Sequence, residues 1–263
     1  MEEKWGVCKM IVVNETWEGI PLLHVHTDEM NEETPVVIFL HGFMSAKEHN
    51  LHYAYQLVKQ GIRVLLPDAL LHGDRHRNAS KRELNLRFWE IILQSIHEVE
   101  KLYNYLKQNH LLESNKIGIS GSSMGAITAC GCLKQYEWLT TAAICMGTPG
   151  YVELGEYLLD QLAAKGFKWP MTEEEIQSSL DLLVKYDITC TPEKFNLRPV
   201  FFWHGKKDTT VPFENTYQYY LTLRGYYEEK PDNLKFVADN QAGHAVTRDG
   251  ILEATRWLAD HLA

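Results

Sequence analysis

Lys116-Ile117-Gly118-Ile119-Ser120-Gly121-Ser122-Ser123-Met124-Gly125-Ala126 runs from an apolar stretch, through a turn of small residues, into a helix-forming segment. Its centre, Gly121-Ser122-Ser123-Met124-Gly125, has the form G-x-S-x-G. The context carries more than the five letters. A strand that reverses at once into a helix needs small residues at the turn, because a neighbour bearing a Cβ does not fit. The serine at such a turn is pushed out at the top of a sheet, where its hydroxyl can attack.

Working outward, short apolar runs recur along the chain. Val36–Leu40, Arg63–Leu66, Ile117–Ile119, Ala142–Met146, Val200–Trp203 and Leu234–Val237 read as strands buried on both faces, as in a parallel sheet. Val7–Val13 and Ile20–His26 read as an antiparallel pair at the sheet edge, joined through Trp17-Glu18-Gly19. Helical stretches lie at Leu51–Gln60, Arg87–Asn109, Ala126–Tyr136, Glu214–Leu223 and Ile251–Leu262. This alternation predicts an α/β fold, with a mostly parallel sheet of about eight strands flanked by helices. Tyr151–Asn196 breaks the rhythm: it holds two helical stretches, Leu154–Lys165 and Thr172–Lys185, and no convincing strand. Thr172 followed three residues later by Glu175 has capping-box spacing. The expected organisation is one core, residues 1–150 and 197–263, interrupted by a helical cap insertion at 151–196.

The totals agree with one globular unit. The chain has 263 residues, 45% hydrophobic and 23% charged, with 26 basic against 35 acidic side chains and a net charge of −9. An acidic balance argues against nucleic acid or an anionic membrane as a partner. The five cysteines, Cys8, Cys130, Cys132, Cys145 and Cys190, are odd in number with no C-x-x-C pair, and reduced thiols are expected. The first residues lack the basic end and apolar stretch of a signal peptide, and no apolar run approaches bilayer length, so a cytoplasmic protein is expected.

A serine hydroxyl needs a base, and the base needs a third group to orient it. Asp208 follows the strand Val200–Trp203 within His204-Gly205-Lys206-Lys207-Asp208, and His244 follows Leu234–Val237 within Gln241-Ala242-Gly243-His244. Both fall at the carboxyl ends of strands, where ligands bind in open parallel sheets. Asp239 and Asp249 lie nearer to His244 in sequence but outside the slot after a strand. The bland readings are a structural serine in a glycine-rich turn, a satisfied loop histidine and an ordinary loop acid. Backbone donors for an oxyanion would come from the amide of Met124 and from the loop His41-Gly42-Phe43 after the third strand. His72-Gly73-Asp74-Arg75 lies on the same edge and reads either as a substrate-contacting loop, through His72 or Arg75, or as a solvated loop locked by ion pairs. His24-x-His26 and His49-x-x-His52 lack the partner ligands of a metal site, and no dinucleotide or Walker loop is present, so neither metal nor cofactor is implied.

The order serine, acid, histidine, with Leu40-His41-Gly42-Phe43, the Gly121–Gly125 turn, His204–Asp208 and Ala242-Gly243-His244, resembles the α/β-hydrolase superfamily over nearly the whole chain. More narrowly it resembles bacterial esterases of the prolyl-oligopeptidase and dienelactone-hydrolase-like branch. The resemblance implies Ser123 as nucleophile, His244 as base, Asp208 as its orienter and the Phe43 amide as an oxyanion donor. It implies hydrolysis of small-molecule carboxylic esters, with small or short acyl groups expected. A peptidase acting on short peptides, and a silent hydrolase fold used for binding, stay open beside it. In this reading His41, His72, Arg75 and Trp169 are candidate substrate contacts, and Phe167, Trp169, Tyr157 and Leu158 of the insertion could wall an acyl pocket.

Overall fold

The structure, a computed structural model, describes residues 9–164, 166 and 170–263. Eight strands form one sheet: β1 (Met10–Trp17), β2 (Ile20–Thr27), β3 (Val36–Leu40), β4 (Arg63–Pro67), β5 (Ile117–Ser122), β6 (Thr141–Cys145), β7 (Val200–Gly205) and β8 (Leu234–Asp239). Their spatial order is β1-β2-β4-β3-β5-β6-β7-β8. The β1–β2 and β2–β4 pairs are antiparallel, and every pairing from β4 to β8 is parallel.

Alternation along the strands divides the core in two. Val36, Ile38 and Leu40 of β3 face one side with Ile117, Ile119, Ala142, Ile144, Val200 and Phe202. They pack under α3 (Phe88–Gln108) and α4 (Met124–Gln135), through Ile92, Ile96, Val99 and Ile127 among others. Val37 and Phe39 face the other side with Val64, Leu66, Ala143, Cys145, Phe201 and Trp203, under α1 (Leu51–Val58) and α8 (Arg248–Leu262). Each of the buried Val, Leu, Ile and Phe side chains among these contributes about 1.5–3 kcal/mol. A strand buried on both faces therefore reads as an unbroken apolar run.

Two details differ from the sequence reading. β1 extends to Trp17 through the polar Asn14-Glu15-Thr16, because antiparallel pairing with β2 in continuous register holds it regardless of polarity. Val7 and Cys8 lie outside the described residues. A short helix, α2 (Lys81–Leu86), precedes α3; Ser80 caps it by accepting the Glu83 amide, and it buries only Leu84. A single apolar anchor leaves no periodic stripe to read.

The segment after β6 forms α5 (Tyr151–Ala164) and α6 (Glu173–Val184), followed by single 3₁₀ turns at Ile188–Cys190 and Pro192–Phe195. Thr172 and Glu175 make both bonds of a capping box at the start of α6. Tyr151 seats this segment on α4: its hydroxyl donates to Ile127 O at 2.6 Å and accepts the Gly131 amide at 3.1 Å. Lys134 reaches the carbonyls of Val184 and Asp187, each at 2.8 Å. Beyond α6 come α7 (Phe213–Tyr226), β8 and α8. Among the described residues no helix is long and apolar enough to cross a membrane.

Candidate active site

The turn at Ser123 shows why the sequence there is so small. Ser123 has φ 54° and ψ −119°, a conformation that costs a residue with a Cβ on the order of 1–3 kcal/mol. Its amide donates to Cys145 O of β6 at 3.0 Å, and its carbonyl accepts the Ile127 amide in the first turn of α4. The strand pairing and the helix together hold the strained residue. A Cβ on Gly121 would lie 2.5 Å from the Gly125 carbonyl carbon, and one on Gly125 would lie 2.0 Å from Leu40 O. Any side chain at either position would therefore push β3, β5 and α4 apart.

Ser123 occupies the N-cap position of α4, yet its hydroxyl makes no capping bond. Ser123 Oγ lies 2.8 Å from His244 Nε2, and His244 Nδ1 lies 2.7 Å from Asp208 Oδ2. His244 stands on the loop between β8 and α8, and Asp208 on the loop after β7. The Asp208 side chain is fully buried and that of His244 is 25% exposed. With Nδ1 donating to the carboxylate, Nε2 presents a lone pair to the serine hydroxyl.

The acid is held from all sides. Asp208 Oδ1 accepts the amides of Thr210 at 2.8 Å and Val211 at 3.0 Å. Burial alone would raise its proton affinity, but the donors from His204 and His244, with the Thr210 amide, hold the carboxyl well below the usual carboxylate range. Asp239 turns away to accept the amides of Gln241 and Ala242 and the Thr247 hydroxyl. Asp249 is an exposed side chain 4.0 Å from Arg248.

The loop after β3 passes over the serine. A Cβ on Gly42 would lie 3.6 Å from Ser123 Cβ and 3.4 Å from Ser122 O. Phe43 follows in that loop, and Met124 opens α4, whose first amides have no partner within the helix. The helix N-terminus adds a favourable dipole for negative charge beside Ser123.

His41 and His72 are both 2% exposed and serve the loops themselves. His41 Nδ1 lies 2.8 Å from Gly42 O, and its Nε2 accepts the Ala69 amide at 3.0 Å. His72 Nδ1 lies 2.9 Å from Leu70 O, and its Nε2 accepts the Met44 amide at 3.0 Å. Neither ring has a nitrogen left for a bound ligand. Burial holds His41 down at about 4, and it lowers His72 too. Arg75 makes a two-pronged pair with Glu98, at 2.8 and 2.9 Å, and donates to Asp68 O. Its guanidinium is engaged within the fold, so the loop from His72 is locked by ion pairs. Trp169 and Phe167 lie outside the described residues.

Two residues of this loop system, Lys47 and Asp68, had no signal in the sequence. Lys47 is completely buried, with Nζ 2.8 Å from Asp68 Oδ2, 2.6 Å from Asp74 Oδ2 and 3.0 Å from Glu48 Oε1. Asp68 also accepts the Lys47 and Asp74 amides, each at 2.9 Å. A lysine or aspartate in a polar loop reads as solvated, and only the fold shows that the loops after β3 and β4 close over this one.

Three comparisons bear on these features. The family model described as the prolyl oligopeptidase family matches residues 93–263. YitV of Bacillus subtilis is 40% identical over 252 residues, covering 95% of this chain and 99% of its own. Esterase YjfP of Escherichia coli is 29% identical over 246 residues, covering 92% and 96%. Among solved structures, TT1662 of Thermus thermophilus superposes with a TM-score of 0.75 at 20% identity, over 97% of this chain and 98% of its own. The Pyrococcus furiosus esterase Pf2001 does so with a TM-score of 0.65 at 20% identity, over 98% and 94%. These last two likenesses are of fold: the sheet and its flanking helices have the α/β-hydrolase arrangement.

Proposed function

The chain belongs to the prolyl oligopeptidase family, and from that premise we propose that it is a serine hydrolase of carboxylic esters, working through an acyl-enzyme on Ser123. One observation carries the reading: a continuous hydrogen-bonded line from Ser123 Oγ through the His244 ring to Asp208, at 2.8 and 2.7 Å. His244 Nε2 takes the hydroxyl proton as Oγ bonds to the acyl carbon. The same nitrogen returns the proton to the leaving alkoxide, and water repeats the sequence to free the acid. The Met124 and Phe43 amides are the proposed donors to the oxyanion, one on the helix N-terminus and one on the loop over Ser123. Relatives and structural neighbours named as esterases support ester over amide substrates.

The insertion, residues 151–196, is proposed to border the site. The support is Tyr157 of α5, whose hydroxyl donates to Thr209 O at 3.3 Å, next to Asp208.

The test is a p-nitrophenyl ester series from acetate upward, beside an aminoacyl amide and a fluorophosphonate label. The native chain should take the label and cleave short esters. Ser123→Ala should lose both, with turnover down on the order of 10⁴-fold or more. A labelled Ala variant would place the nucleophile elsewhere, with Ser122 the first suspect.

A further inference from the structure

The Asp208 carboxylate has two imidazole neighbours, and the scheme above uses one. His204, the fifth residue of β7, is 1% exposed, with Nε2 3.2 Å from Asp208 Oδ2. The same Nε2 lies 3.0 Å from Val211 O. Both contacts are acceptors, so this nitrogen carries a proton. The opposite nitrogen, Nδ1, is buried and has no partner. A proton there would be a stranded buried donor, so the geometry selects the Nε2–H tautomer.

We propose that His204 is a positioning residue for the acid: its Nε2–H, shared between Asp208 Oδ2 and Val211 O, fixes the carboxylate and restrains its pull on the His244 proton. The proposal rests on the reading of Ser123, His244 and Asp208 as the reacting triad. The physical argument is about the second lone pair. Oδ1 is occupied by two backbone amides, and Oδ2 accepts from His244 Nδ1 with His204 Nε2 lying 3.2 Å away. Without the His204 donor, Oδ2 would concentrate its charge on His244 Nδ1–H. A protonated His244 would then be favoured, and the base would be blocked over a wider range of pH.

The neighbouring charges do not offer a rival explanation. Asp239 of β8 is spent on the Gln241 and Ala242 amides and on Thr247. Lys207 reaches Gln241 at 2.6 Å. From α7 the contact on His204 is the Phe213 ring, edge-on at 5.8 Å. Among the described residues, the titratable groups meeting Asp208 are thus His204 and His244.

The experiment uses the full chain with His204→Leu and His204→Gln. It follows kcat/KM on a short p-nitrophenyl ester from about pH 5 to pH 9, with a denaturation midpoint at each pH. For His204→Leu the acid limb should move up by about one pH unit, so that kcat falls about 3-fold near neutrality and about 10-fold at the acid end, with little change in KM. His204→Gln keeps an N–H donor and should bring the limb back toward the native position. A folded His204→Leu with its limb unmoved, and only a lower midpoint, would make His204 a packing residue and overturn the proposal.

If His204→Leu does not fold, ¹⁵N-histidine spectra of the native chain decide. His204 should show a protected Nε2–H whose signal moves when Ser123 is phosphonylated, because His244 then carries charge. A signal protonated at Nδ1, or one unmoved by the label, overturns the proposal. The triad reading fails separately, by turnover retained in Ser123→Ala, and the tautomer measurement does not depend on it.

Discussion

At the scale of single residues, the acid gives the sharpest test. Asp208→Asn keeps the shape but presents an amide to His244, which selects the wrong tautomer; the rate should fall about 10⁴-fold while the fold persists. Asp239→Asn should stay within about 10-fold of native, since Asp239 anchors its loop and touches neither His244 nitrogen. Steady-state rates of the two variants, side by side, check the assignment, and a reversed order would move the acid to Asp239. The meeting of Ser123, Asp208 and His244 was legible because each follows an apolar strand and so falls on one edge of a parallel sheet. His41, His72 and Arg75 fall on that edge too, yet their polar atoms point into the fold. Position along a strand tells where a loop emerges, but not whether a side chain is used up inside it.

At the scale of elements, the two loops after β3 and β4 act as one piece. They are joined by the His41–Ala69, His72–Met44 and Lys47–Asp68 contacts. Burial lowers the proton affinity of Lys47, but the three carboxylates around it reverse that and hold it charged. Losing one partner of such a buried pair costs about 3–5 kcal/mol. Two of the histidine bonds need a bare Nε2, so protonation opposes this arrangement. Burial holds His41 at about 4, and burial with the neighbouring His26 and Arg63 holds His24 at about 3, against 6.5 for a free ring. The unfolded chain therefore binds protons that the folded chain refuses. Stability should be full above pH 6.5 and should fall from there toward pH 4 for His41 and pH 3 for His24. Each ring should remove about 2 kcal/mol between about pH 7 and pH 5, read by urea unfolding across that range. A flat profile would mean that both rings accept a proton inside the fold. None of this coupling was visible in sequence, because it joins residues from two loops that only the strand order makes neighbours.

At the scale of the molecule, the strand and helix alternation was legible and the role of the interruption was not. A strand-free stretch announces helices outside the sheet, but their seat on α4 depends on Tyr151 and Lys134 finding backbone groups far away in sequence. If α5 borders the site, Tyr157→Ala should widen it and shift preference toward longer acyl chains by roughly 10-fold. The ratio of kcat/KM for a long and a short p-nitrophenyl ester checks this; an unchanged ratio would set α5 back from the site. The proposed roles of Ser123 and His244 would also shape the life of the chain before it is finished. The two residues are 121 positions apart. At the pace of a ribosome, Ser123 leaves the tunnel roughly ten seconds before His244. With His244 as the proposed base, the serine would have no partner to take its proton through that interval, and an incomplete chain would be chemically silent. Hydrolytic competence would then arrive late and all at once, and covalent labelling during synthesis would report the moment at which β8 and its loop join the sheet.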